Sequence, residues 1–242
     1  MNQPTVTERA ARTQERILDA ARDLVTQHGA RKVTITEVAR TAGVGKGTAY
    51  QYWPTKEDVV IAVQAREMAR GLNSVLDALE HDPSAALASR LAPLLLESQQ
   101  SSETLARLRD DPDAVLLLAR HYAARAVLDV AAPLSLCRGA VHELRRQALL
   151  EPSQDEAEQV YALHALINGF AQADLDAASA GLVPDASARR ALLVRTVHQA
   201  IETDSKPAPS ALAAAAEALS NLLHDAQAEL ARLYAPAPDR AA

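Results

Sequence analysis

Residues 36–58 read TEVARTAGVGKGTAYQYWPTKED. Three of the chain's eight glycines, two of its five tyrosines and its single tryptophan fall in this stretch, in a chain only 3% aromatic. Thr34, with Glu37 three positions on, has the spacing of a capping box and opens a short helix. Gly43 breaks that helix at a position suited to the positive φ of a tight turn. Lys46–Tyr52 reads as a second short helix, followed by Trp53 and Pro54. Two short helices around a glycine turn describe a helix-turn-helix. Val38, Ala39, Ala42 and Val44 are its packing residues, the two alanines small enough for a close crossing. Trp53 is expected to pack inside this small head.

The second helix is the candidate reader of DNA. Gly45, Lys46, Gly47 and Thr48 stand at its N-terminal end, where unpaired N–H groups and the helix dipole suit phosphate. Gly47 allows close backbone approach. Tyr50, Gln51 and Tyr52 lie one turn on, with groups able to reach phosphates or base edges. Thr55 and Lys56 open the next helix, and Thr36 on the first helix joins the set. Arg9 and Arg12 form either an arm reaching phosphate or the minor groove, or ordinary solvated charge.

Outward from this segment the pattern is helical throughout. Ile17, Leu18, Ala21, Leu24 and Val25 share one face of a helix over residues 13–28, stopped by Gly29. A long amphipathic helix runs from about Lys56 to Glu80, with Met68, Leu72, Val75, Leu76 and Leu79 at helical spacing. Asp82–Pro83 and Asp111–Pro112 read as helix starts. Pro133 opens a helix to about Leu150. Ser153–Glu156 reads as a second capping box, leading to a helix that stops near Gly181. Asp185 caps a helix to about Ile201, and a last helix follows the linker TDSKPAPS. The expected fold is all-α, with nine or ten helices and no internal repeat.

The net charge of −6 is not that of a generic nucleic-acid binder. The charge is unevenly placed: residues 1–60 hold nine basic and seven acidic side chains, against sixteen and twenty-four in the rest. A basic head on an acidic body suits a polyanionic partner at the N-terminal end. The single cysteine, Cys137, excludes an intrachain disulfide and a multi-cysteine zinc site, and reads as a small buried hydrophobe. No histidine pairs with another at i, i+4, and no nucleophile–base order or phosphate loop stands out. No metal, cofactor or catalysis is therefore expected. The N-terminus lacks the apolar run of a secretory signal, and no run of about 18 apolar residues suggests a membrane span. The cytoplasm is the expected location.

TITEVARTAGVGKGTAYQYWPTKEDVV, preceded by the helix ERILDAARDLVTQHG, resembles the DNA-binding segment of the tetracycline-repressor (TetR) family of bacterial transcription regulators, over about residues 13–65. Two positions depart from the family pattern: Gly45 stands where Ser or Thr often caps, and Ala49 where Leu is usual. The resemblance implies an all-α homodimer with N-terminal DNA-binding heads and a C-terminal ligand-binding, dimerising body. The expected division is a helix-turn-helix domain over 1–55 (1–12 a flexible arm), a helical ligand-binding and dimerisation domain over 56–235, and a disordered tail over 236–242. The expected function is a ligand-responsive repressor released from a near-palindromic operator by a small-molecule inducer. The alternatives are an activator, or a constitutive or architectural factor with no effector.

For the body, residue types alone offer candidates. Leu72, His121, Tyr122, Tyr161, His164 and Asn168 are candidate ligand contacts, with plain core packing as the competing reading. After residue 60 the only aromatics are Tyr122, Tyr161, Phe170 and Tyr234. An aliphatic pocket and a neutral, largely apolar ligand are therefore expected. Val160, Ile167, Phe170 and Ala171 on one helix, with Leu193, Val197, Ala200 and Ile201 on the next, are expected to form a four-helix dimer interface.

Overall fold

The computed structural model describes residues 6–111, 114, 132–183 and 185–234. Among these the chain is all-α: α1 (Val6–His28), α2 (Ile35–Ala42), α3 (Lys46–Tyr52), α4 (Lys56–His81), a 3-10 turn (Pro83–Ala86), α5 (Ala88–Gln100), α6 (Glu103–Asp110), α7 (Pro133–Arg146), α8 (Glu156–Leu175), α9 (Ala177–Leu182), α10 (Ala186–Ile201) and α11 (Pro209–Tyr234). The chain forms two compact units. The first takes in α1–α3, α4 as far as Ala69, α6 with its cap Ser102, and α11 from Glu229. The second holds Arg70–Ser101 and the described residues from 132 to 228.

In the first unit, the apolar face expected of α1 is the buried one. Ile17, Leu18, Ala21, Leu24 and Val25 join Val38, Ala39, Ala42, Ala49, Trp53, Val59, Val60 and Val63 in one core. Each large aliphatic side chain so buried contributes roughly 1.5–3 kcal/mol. Local chemistry sets the helix ends. Gly29 stops α1 with φ +77. Thr34 Oγ1 accepts from Glu37 N at 3.2 Å, and Gly43 ends α2 at φ +63. Thr55 and Asp58 form a reciprocal box at the start of α4: Asp58 N donates to Thr55 Oγ1 at 3.1 Å, and Thr55 N to Asp58 Oδ2 at 3.0 Å. α1 begins at Val6, so Arg9 and Arg12, expected on an arm, stand exposed on helix. α6 lends Leu108 to the same core. Ser102 caps α6, accepting from Leu105 N at 3.4 Å. This start was not among those expected from the sequence, the nearest of which fell at Asp82–Pro83 and Asp111–Pro112.

In the second unit, α8 packs on α5, α7 and α10, and α10 packs on α5. Three sequence-based boundaries shift. Asp155, not Ser153, caps α8, accepting from Ala157 N at 2.8 Å; Ser153 Oγ instead donates to Glu151 at 2.7 Å within the preceding turn. The helix expected to reach Gly181 breaks at Asp176, whose carboxylate accepts from Ser179 N at 3.0 Å and starts α9 afresh. Side chains of this kind compete with the helix for its own backbone donors. The Ser179 hydroxyl, followed by backbone N–H groups, holds the Asp176 carboxyl below its usual range. α7 ends at Arg146 rather than near Leu150, because Leu150 pairs as an antiparallel bridge with Glu202.

That bridge carries a long-range cap. Leu87, at the head of α5, offers no capping side chain. Glu202 supplies one from the end of α10: its Oε1 accepts from Ser89 N at 2.6 Å, and its Oε2 lies 2.7 Å from His198 Nδ1. The Glu202 side chain is only 4% exposed. Glu202→Ala leaves the Ser89 N–H without its acceptor, and is expected to destabilise the protein by about 1–2 kcal/mol. Thermal unfolding should show a midpoint roughly 2–8 °C lower; an unchanged midpoint would remove the cap from the stability of this unit.

Candidate nucleic-acid interface

The helix-turn-helix is held from behind by α1. Arg16 Nη2 donates to Ala42 O at 2.5 Å and to Gly43 O at 2.9 Å, so it satisfies carbonyls that the end of α2 leaves open. Tyr52, the last residue of α3, donates its hydroxyl to Ala10 O at 3.0 Å. Trp53 is 3% exposed, and its ring centroid lies 5.7 Å from that of Tyr52. α1 thus grips the turn before α3 and the far end of α3.

This leaves one face of α3 free. Ala49 is buried and Thr48 half-buried, while Gly45, Lys46, Gly47, Tyr50 and Gln51 are exposed. Lys46 Nζ stands 5.8 Å from the Tyr50 ring centroid, a cation–π distance that keeps the ammonium beside the ring. A Cβ built on Gly47 would meet nothing within 4 Å. Glycine inside a helix costs about 0.5–1 kcal/mol against alanine, and no packing among the described residues requires it here. What Gly47 leaves open is space outside the protein.

The predicted DNA-contacting residues divide into two groups. Thr36, Gly45, Lys46, Gly47, Tyr50 and Gln51 are exposed. Thr48, Tyr52 and Lys56 are half-buried, and two of these have partners in the chain: the Tyr52 hydroxyl holds α1, and Lys56 Nζ donates to Arg31 O at 3.2 Å. Thr55 is exposed, but its hydroxyl donates to Asp58 Oδ2 at 2.6 Å. Tyr52 is therefore a strut rather than a reader. The reading missed Arg40, exposed one turn after Thr36 on α2 and the only cation of that helix. The i, i+4 spacing was the available signal. It also missed Arg16, whose acceptors lie twenty-six and twenty-seven residues away, beyond any local signal.

Among the described body candidates, His164 and Asn168 come together. Leu72 is buried at 4% exposure. His164 and Asn168 are half-buried on α8 and bond each other, Asn168 Nδ2 to His164 Nε2 at 2.9 Å. Tyr161 is 75% exposed, so it lines no interior pocket of this chain. His121 and Tyr122 lie outside the described residues. A groove of about 590 Å³ between α7 and α11 is lined by other residues, among them Arg138, His142, Glu156, Asn221 and Asp225. Burial pushes the Cys137 thiol up to about 12, which leaves almost no thiolate near neutral pH.

Val160, Ile167, Ala171, Leu193, Val197 and Ile201 are buried within the single chain, and Phe170 and Ala200 are half-buried. α8 and α10 turn their strongest apolar faces toward α5 and each other. The outward faces carry Tyr161, Ala165 and Gly169 on α8, and Ala188, Ala191 and Leu192 on α10; Leu182 on α9 is 84% exposed. Among the described residues no helix is long and apolar enough to cross a membrane, and no His, Cys, Asp and Glu side chains gather as a metal site would need.

Residues 17–63 match the family described as bacterial regulatory proteins, tetR family. An uncharacterized HTH-type transcriptional regulator of Mycobacterium tuberculosis is 37% identical over 65 residues, 27% of this chain and 34% of that protein. The fatty acid metabolism regulator protein of Bacillus subtilis is 33% identical over 54 residues, 22% of this chain and 28% of that one. The match spans about a third of the length of these curated relatives. A putative transcriptional regulator from Streptomyces coelicolor has a similar fold, with TM-score 0.53, 24% identity, and coverage of 78% of this chain and 98% of that one. SmeT, the repressor of a Stenotrophomonas maltophilia multidrug efflux pump, superposes with TM-score 0.55 at 18% identity over 81% of this chain and 97% of its own.

Proposed function

We propose, for a chain that belongs through its N-terminal segment to the tetR family of bacterial regulatory proteins, that it is a DNA-binding repressor acting as a homodimer. The observation that carries this is the exposed face of α3, with Lys46, Tyr50 and Gln51 beside a glycine that the chain's own packing does not require. Each recognition helix enters a major groove, and two such helices on a near-palindromic operator sit about 34–36 Å apart. Lys46 neutralises phosphate, while Tyr50 and Gln51 reach phosphates or base edges. The outward faces of α8 and α10 supply the second copy's contact, in place of the stripe that the chain buries. The protein works in the cytoplasm, where its operator is.

A small-molecule effector releases the operator by binding one arrangement of the heads better than the other. A few kcal/mol of differential affinity suffice. The scarcity of aromatic residues after residue 60 favours a neutral, largely apolar ligand.

The test is selection of duplexes from fragmented genomic DNA by the purified protein, followed by footprinting and titration. Lys46→Ala is expected to weaken binding to every sequence and to lower the slope of log affinity against log salt by about one. If the wild type protects no site, or Lys46→Ala keeps both affinity and slope, α3 is not the DNA-facing helix.

A further inference from the structure

Arg66 lies on α4 with its side chain 3% exposed, and the DNA contacts above make no use of it. Its Nη1 donates to Glu15 Oε2 on α1 at 3.0 Å, and its Nη2 lies 3.0 Å from Asp19 Oδ1, one turn further along α1. Its Nε is 3.9 Å from Glu67 Oε1. Glu67, itself buried, accepts through Oε2 from Ser102 Oγ, the cap of α6, at 2.8 Å. Only Nη1 makes a well-formed hydrogen bond; Nε and Nη2 make none.

A buried guanidinium with incomplete hydrogen bonding is a poor source of stability, because the loss of hydration offsets most of the attraction. What the planar fork supplies is direction. It spans carboxylates at i and i+4 of α1 and so fixes how far α1 slides along α4. The residue next to Glu15 is Arg16, which holds the turn carbonyls of Ala42 and Gly43, and α1 also receives the Tyr52 hydroxyl at Ala10. Both grips on α3 are therefore mounted on the helix that Arg66 registers. We infer that Arg66 is a positioning residue for the DNA-reading helix, acting through Glu15 and Asp19 on α1. The inference rests on the DNA-binding reading of α3.

The test uses the full chain and two probes: a duplex enriched by the wild type from a random pool, and an unselected duplex. Arg66→Met combined with Glu67→Gln removes the buried charges together and keeps an acceptor for Ser102. Glu15→Gln weakens one arm of the fork at a half-exposed site. The double variant is expected to unfold near the wild-type midpoint and to lose about tenfold in affinity for the selected duplex, as the loss of one base contact does. Affinity for the unselected duplex and the salt slope should stay at wild-type values, because so buried a side chain reaches no phosphate. Glu15→Gln should lose affinity in the same selective way, by a smaller factor. Wild-type discrimination in both variants overturns the inference, as does an equal loss on both duplexes. Should the double variant fail to fold, Glu15→Gln decides alone: selective loss supports the inference, unchanged binding overturns it. A wild type that enriches no duplex overturns the DNA-binding reading and this inference with it.

Discussion

Gly47→Glu should abolish operator recognition and leave the head at least as stable as before. Gly47 sits in α3, and beyond its chain neighbours and its own helix backbone no described atom lies within 4 Å of where its Cβ would stand. A side chain there meets no obstacle within the chain, and replacing a helical glycine recovers up to about 0.5–1 kcal/mol. On the DNA side the same side chain meets the phosphate backbone at close range, carrying a like charge. The expected loss of operator affinity is about 100-fold or more, since it combines lost close approach with repulsion. Gly47→Ala separates the two effects, with the gain in stability and a smaller loss of binding. Anisotropy titration beside thermal unfolding reads both quantities. Operator affinity within a factor of two of wild type in Gly47→Glu would place the DNA on another face of the head.

Trp53→Ala should be the most damaging single change to the head. The indole is 3% exposed, follows α3 directly, and packs in the same core as Ile17, Val38 and Ala49. Removing a buried aromatic of this size costs about 3–5 kcal/mol through lost burial and the cavity left behind. That is a large part of the stability of a typical domain, roughly 5–15 kcal/mol in all. Circular dichroism should report unfolding well below the wild-type temperature, and hydrogen exchange in α2 and α3 should lose protection first. Fluorescence cannot serve, because the variant has no tryptophan left. An unfolding midpoint close to wild type would mean that the indole is not part of this core.

The parts legible in the sequence are those set by neighbouring residues. Thr34, Gly43 and Asp185 do their work within four residues of their positions, and the structure places each where the spacing put it. The apolar face of α1 was also readable, since a helix with one buried side shows it as a period. At α8 and α10 the period likewise marks faces that are buried within the single chain. A period identifies a buried face without saying what buries it, and here the chain's own helices do. The long-range roles of Glu202 and Arg66 were invisible for a different reason: Ser89, and Glu15 with Asp19, stand tens of residues away, and a lone polar residue carries no mark of a distant partner. In the reading surface, residue type alone did not separate Tyr50 from Tyr52. The first is exposed; the second holds α1 at Ala10.

The cap that Glu202 lends to α5 also sets an order of events during synthesis. Ser89 and Glu202 are 113 positions apart. At about 5–20 residues per second the ribosome delivers the carboxylate roughly 6–23 s after the amide that needs it. Throughout that interval the nascent α5 has a bare first turn, and Leu91, Leu95 and Leu96, buried in the finished protein, have not yet met α10. Chains arrested before residue 202 should therefore be held by chaperones that bind exposed leucine, and chains arrested a few tens of residues later should be released.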